Sequence, residues 1–183
     1  MSKLIPGANA ALTAENPALT TVVVGLGWTT IPSRGPQAEL VPLAIMCDAS
    51  GRAISDDHLV FFNQISSPDG AVQFMGDADE EQIDVNFALV PANVAKIVFL
   101  VYVDPDVRGP GNFSSVRGAH IRVADPQNYE LVRFDIPLGH LSNINAMMFG
   151  ELYRHSGGWK FRALGQGFTT GLRGVANDFG ITV

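Results

Sequence analysis

Five carboxylates crowd one short stretch of the chain, "MGDADEEQID", where Asp77, Asp79, Glu80, Glu81 and Asp84 fall between two apolar runs. Calcium takes roughly six to eight oxygen ligands, and a turn dense in acidic side chains supplies several of them locally. The spacing is not that of an EF-hand: counting from Asp77, Gln82 stands where the sharp turn needs Gly, and Ala88 where a bidentate Glu belongs. A solvated hairpin turn, its charges blunting edge-to-edge aggregation, fits the same residues. Two further acidic loops stand elsewhere, Asp48 with Asp56 and Asp57, and Asp104 with Asp106. Loops of this kind could meet at one end of a folded domain. Crowded carboxylates without a counter-charge raise one another's pKa values at a cost in stability, so their convergence would argue for a bound cation.

Other chemistry is poorly represented. No G-x-S-x-G elbow, H-E-x-x-H helix, Walker loop or paired C-x-x-C occurs in the sequence. His58, His120, His140 and His155 are scattered, and each reads as structural or solvated. The lone Cys47 sits in the apolar run "VPLAIMCDAS" and reads as a buried, inert thiol. "GQGFTTG" superficially suggests a phosphate-cradling loop, but it lacks the dinucleotide spacing and a βαβ setting, so its glycines read as turn geometry or close packing. These features together point away from an enzyme.

The 183 residues carry a formal net charge of -6 and show no basic patch, which excludes nucleic acid as the expected partner. The amino terminus has no apolar secretory segment, and no run approaches the roughly 18 apolar residues of a membrane span. With one cysteine, the expected location is cytoplasmic.

The elements that must carry the acidic loops are strands. Runs rich in β-branched and aromatic residues recur, among them "TTVVVGLGW", "LVPLAIMC", "HLVFF", "AVQFM", "QIDVNFALV", "AKIVFLVYV", "GAHIRVA", "ELVRFDI", "AMMFGELYRH" and "WKFRALGQGF". Gly, Pro, Asn, Asp and Ser clusters such as "SSPDGA" and "RHSGGWK" separate them as turns. Trp159, Phe161 and Ala163 alternate with Lys160, Arg162 and Leu164, giving one core face, whereas residues 97–103 are apolar throughout and fit a strand covered on both faces. Leu172, Val175, Ala176 and Phe179 fall at helical spacing with Gly180 placed to end the helix. The expectation is an all-β dominated chain: a β-sandwich of two antiparallel sheets with a few short helices, one of them C-terminal, in a single domain over residues 1–183.

"GELYRHSGGWKFRALGQGF", at 150–168, resembles the carboxy-terminal signature of the TerD-like tellurium-resistance and stress-response proteins. "LTTVVVGLGW", "FFNQISSPDGAV", "VPANVAKIVFLV", "GNFSSVRGAHIRV" and "NDFGITV" resemble the family pattern in order, so the resemblance spans nearly the whole chain. It implies a calcium-binding β-sandwich without established catalysis, acting through protein partners in a stress-response assembly in the cytoplasm or at a membrane surface. By the same resemblance the metal residues are Asp77, Asp79, Glu80 and Glu81 of the acidic loop, with Glu39 and Asn63. Three departures weaken the site. Val41 replaces the second Asp of a family Asp-Leu-Asp run, with Gln64 in place of an Asn, and the acidic loop is several residues short. The expectation is weak calcium binding; the alternative is a divergent scaffold of the same fold that has lost the metal.

Overall fold

A computed structural model describes residues 2–32, 35, 37–77, 81–106, 109–139 and 143–182, with the backbone alone described at Ser2 and Asp77. Its elements are β1 (Ser2–Lys3), β2 (Asn9–Ala11), β3 (Thr21–Thr30), β4 (Leu40–Cys47), β5 (Leu59–Val60), β6 (Val72–Asp77), β7 (Glu81–Asn86), β8 (Lys96–Val103), β9 (Val116–Ala124), β10 (Glu130–Asp135), β11 (Ala146–His155), β12 (Gly158–Phe168) and α1 (Gly171–Phe179). The strands form two six-stranded sheets, in the orders β1-β10-β9-β3-β7-β6 and β2-β12-β11-β8-β4-β5. The sandwich of two sheets is thus as expected, and every one of the ten quoted runs contains a strand.

Three departures stand out. "HLVFF" pairs with β4 only through Leu59 and Val60, because Phe61 turns into a tight bridge with Gln64. "QIDVNFALV" leaves the sheet at Asn86, whose side chain accepts the Ala88 N–H at 3.0 Å and caps a 3-10 turn over Phe87–Leu89. The short strands β1 and β2 lack β-branched residues and give no sequence signal; β1 lies parallel to β10, the exception to an otherwise antiparallel arrangement.

The main core lies between the sheets. From β8 it takes Ile97, Phe99, Val101 and Val103, while the alternate residues Val98, Leu100 and Tyr102 join a second apolar layer on the outer face. That layer also holds Val41, Leu43 and Ile45 of β4, and α1 closes it with Val175, Ala176 and Phe179. From Ile97 onward β8 is apolar, with the other sheet on one side and a helix on the other. Each buried side chain of this kind contributes roughly 1.5–3 kcal/mol, so α1 is anchored by its stripe and not by its own propensity. Gly180 ends it in the left-handed region at φ 73°, its N–H donated to the Ala176 and Asn177 carbonyls.

The glycines of "GQGF" serve geometry and packing. Gly165 has φ +71° at the irregularity where β12 shifts register against β11, and a Cβ on Gly167 would meet Ile144 at 2.8 Å.

Candidate cation-binding end of the sandwich

Strand direction decides which loops meet. β3 ends at Thr30, opposite the start of β9, and Glu81 pairs with Leu26, so the β6–β7 hairpin turns at the Thr30 end of the sandwich. The connections 31–39 and 104–115, each crossing between the sheets, lie at the same end: Ile31 N–H donates to the Ser115 carbonyl at 2.7 Å, and Asp104 N–H donates to the Glu39 carbonyl at 2.8 Å. The loop carrying Asn63 leaves β5 toward the start of β4, again at this end. Four acidic or amide-bearing segments that are far apart in sequence thereby share one end of the sandwich.

The expected metal residues are placed as follows. Glu39 precedes β4 and is exposed; Asn63 is exposed in the loop after β5; Glu81 opens β7. Asp77 ends β6 opposite Glu81, and Asp79 and Glu80 lie outside the described residues. Asp84 belongs elsewhere, since strand alternation puts it with Gln82 on the outer face, where the Gln82 amide donates to it at 2.9 Å. Among the described residues, no three His, Cys, Asp or Glu side chains lie close enough together to hold a metal ion. Val41 is packed in the helix-side apolar layer. The Gln64 amide is spent on backbone, donating to the carbonyls of Leu59 at 2.5 Å and Asp56 at 3.2 Å. The described residues therefore do not build a calcium site unaided, and the hairpin would have to supply the remaining oxygens.

The other acidic loops divide. Asp48 caps its own turn at the opposite end of β4: its carboxylate accepts from the Ser50 hydroxyl at 2.6 Å, the Ser50 N–H at 2.9 Å and the Arg52 N–H at 3.2 Å. The Ser50 hydroxyl, followed by these N–H groups, holds the Asp48 carboxyl below its usual value. Asp56, Asp57, Asp104 and Asp106 instead line one cavity of about 600 Å³ on the helix side of the sandwich, together with Asn63. Its walls are the aromatic rings of Phe61, Phe62 and Tyr102 and the apolar side chains of Leu59, Leu172 and Ile181. Sequence reasoning raised this convergence only as a possibility; the involvement of Tyr102, Leu172 and Ile181 carried no signal beyond apolar spacing.

Two of the four carboxylates also organise backbone, Asp56 accepting the Thr182 N–H at 3.0 Å and Asp104 the Asp106 N–H at 2.9 Å. No Lys, Arg or His is among the described lining residues. Burial, aided by the Asp104 charge, pushes the Tyr102 phenol up to about 12, so it stays protonated.

Cys47 is fully buried, and burial pushes its thiol up to about 12 despite the nearby Lys96 charge, as expected of an inert packing residue. His58 lies beside Asp69 at 3.8 Å, His120 on β9 against the bare backbone of Gly27, and His155 against the Tyr153 ring; His140 lies outside the described residues.

A two-sheet sandwich with a helix packed on one outer face and acidic loops gathered at one end defines the class of protein. The TerD domain family matches residues 1–179, and the chain belongs to that family. It is 37% identical to general stress protein 16U of Bacillus subtilis (strain 168), covering 98% of this chain and 97% of that protein. It is 36% identical to the tellurium resistance protein TerD of Serratia marcescens, covering 97% and 96%. Two solved structures share the fold: the Streptomyces coelicolor A3(2) protein SCO6318, described as a homologue of a telluride resistance protein, with TM-score 0.67 at 24% identity over 86% of this chain and 95% of that one, and the protein SAV2460 of unknown function, with TM-score 0.70 at 19% identity over 90% and 99%.

Proposed function

We propose that this chain is a non-enzymatic stress-response binding domain that takes up calcium weakly at its acidic end and acts through protein partners in the cytoplasm or at a membrane surface. The stress and tellurium-resistance relatives, which match over nearly their whole lengths, support the role. The observation that carries the cation reading is the gathering of the β6–β7 hairpin, Glu39 and Asn63 at one end of the sandwich. In this reading Asp77, Asp79, Glu80 and Glu81 supply carboxylates, Glu39 and Asn63 supply two further oxygens, and water completes the shell. With Val41 apolar and Gln64 engaged, affinity falls to the weak end of calcium sites, at about millimolar.

A second reading, a metal-free interaction scaffold, is favoured by those same two positions, Val41 in the apolar layer and the Gln64 amide bound to backbone. Isothermal titration with calcium separates the two. The wild-type chain gives a saturable heat that Asp77→Ala with Glu81→Ala abolishes. Absence of heat at several millimolar calcium, with pull-down partners unaffected by a chelator, would establish the scaffold instead.

A further inference from the structure

His58 and Asp69 lie at the end of the sandwich opposite the β6–β7 hairpin, in the turns that lead into β5 and β6. His58 closes the 3-10 turn Asp56–His58. The two side chains are only 13% and 15% exposed, and His58 Nε2 faces Asp69 Oδ2 at 3.8 Å. That separation is too long for a hydrogen bond, whose range ends near about 3.2 Å.

The far atom of each side chain is already fixed. The Ser55 hydroxyl meets His58 Nδ1 at 2.7 Å, and the same oxygen accepts the Asp57 N–H at 3.2 Å. Asp69 Oδ1 accepts from the Ser67 hydroxyl at 2.7 Å and from the Ala71 N–H at 2.8 Å. Oδ2, by contrast, is buried and receives no hydrogen bond among the described residues. A buried carboxylate oxygen without a donor costs free energy, and a bound ion is one of the few causes that account for such an exception. The bare oxygen is the one that faces the imidazole.

Two metal–ligand bonds of about 2.1 Å span at most about 4.2 Å, so one ion fits between atoms 3.8 Å apart without movement of the backbone. Imidazole nitrogen beside carboxylate oxygen is a donor set for zinc and its neighbours, whereas calcium takes oxygen ligands. Hydrogen bonds to the second ring nitrogen and to the carboxylate are also what orient the ligands of such sites.

We propose that His58 Nε2 and Asp69 Oδ2 bind a divalent transition-metal ion of the zinc class. Ser55 accepts from Nδ1–H, which leaves the Nε2 lone pair to the metal, while Ser67 and Ala71 hold the carboxylate with Oδ2 turned toward it. Water fills the remaining positions, because no third His, Cys, Asp or Glu joins the pair among the described residues. With two protein ligands the ion exchanges readily, and when bound it ties the turn before β5 to the turn before β6. This inference goes beyond the calcium reading and shares no residue with it, so the two can fail separately.

The test is calorimetric titration of the untagged full chain with Zn²⁺ at neutral pH, in excess calcium so that oxygen-only sites are occupied. Visible absorption of added Co²⁺ gives a second readout of the coordinating atoms. The wild type binds one Zn²⁺ saturably. His58→Phe keeps a ring in place and Asp69→Asn keeps an acceptor for Ser67 and Ala71; each weakens binding about a hundredfold, and Ser55→Ala, acting through the imidazole, about tenfold. Asp77→Ala with Glu81→Ala leaves zinc binding unchanged, and thermal melts verify that each variant is folded. The proposal is overturned if the wild type shows no saturable Zn²⁺ binding, if folded His58→Phe or Asp69→Asn binds as the wild type does, or if the Asp77/Glu81 variant is the one that loses it.

Discussion

Asp48 and Cys47 are adjacent in sequence and have opposite environments, and each makes a pH prediction. Asp48 titrates below its ordinary value of 3.8 because the folded turn donates to its charged form. Its contribution is complete above the unfolded value and disappears as pH falls through the folded one. Asp48→Asn should therefore flatten the acid limb of a stability profile below about pH 4, measured by denaturant midpoints. The Cys47 thiol moves the other way, from 9.0 to about 12, chiefly by burial. Its contribution is complete below pH 9 and is lost as pH rises toward 12. The wild type should lose stability above pH 9 more steeply than Cys47→Ala, and a thiol reagent at pH 8 should label the chain only in denaturant. Burial of Cys47 was legible from its apolar run, whereas the turn-capping work of Asp48 was not. Whether a carboxylate caps backbone, lines a cavity or holds a metal depends on neighbours that sequence spacing does not reveal.

At the scale of elements, α1 makes the plainest claim. Phe179 is 7% exposed and packs with Ile181 onto the outer face of β4 and β8. Phe179→Ala should cost about 3 kcal/mol by urea unfolding. Gly180→Ala should cost about 1 kcal/mol, because a Cβ at φ 73° is strained. A Gly180→Ala chain as stable as wild type would contradict the left-handed cap. This helix was fully readable, since period, stripe and terminating Gly are all local signals. The short strands were not: β1 and β2 are held by non-local pairing with β10 and β12, and β5 is cut to two residues by the Phe61–Gln64 bridge. Glu151 belongs to this scale too. It is 4% exposed on β11 and ties Lys96 of β8 at 3.5 Å to Arg162 of β12 at 3.3 Å. Because both cations are partly solvated, Glu151→Gln should cost only about 1–2 kcal/mol, seen as a lower urea midpoint with an unchanged m-value.

Over the whole molecule, function depends on topology. The acidic residues at this end range from Glu39 to Asp106 in sequence, and they share it only because β3, β6 and β8 all end there. That the chain is a sandwich could be read from strand rhythm; which loops share an end requires the pairing order, which no local pattern encodes. The central claim is that this end binds calcium in the native state alone. Binding confined to the native state raises stability by RT ln(1 + [L]/Kd), or about 1.4 kcal/mol at ten times Kd. Thermal melts with and without about 10 mM calcium test this directly: the account predicts that the wild-type Tm rises by about 3–5 °C, with no rise in Asp77→Ala, Glu81→Ala. An equal rise in both proteins, or none in either, would contradict it.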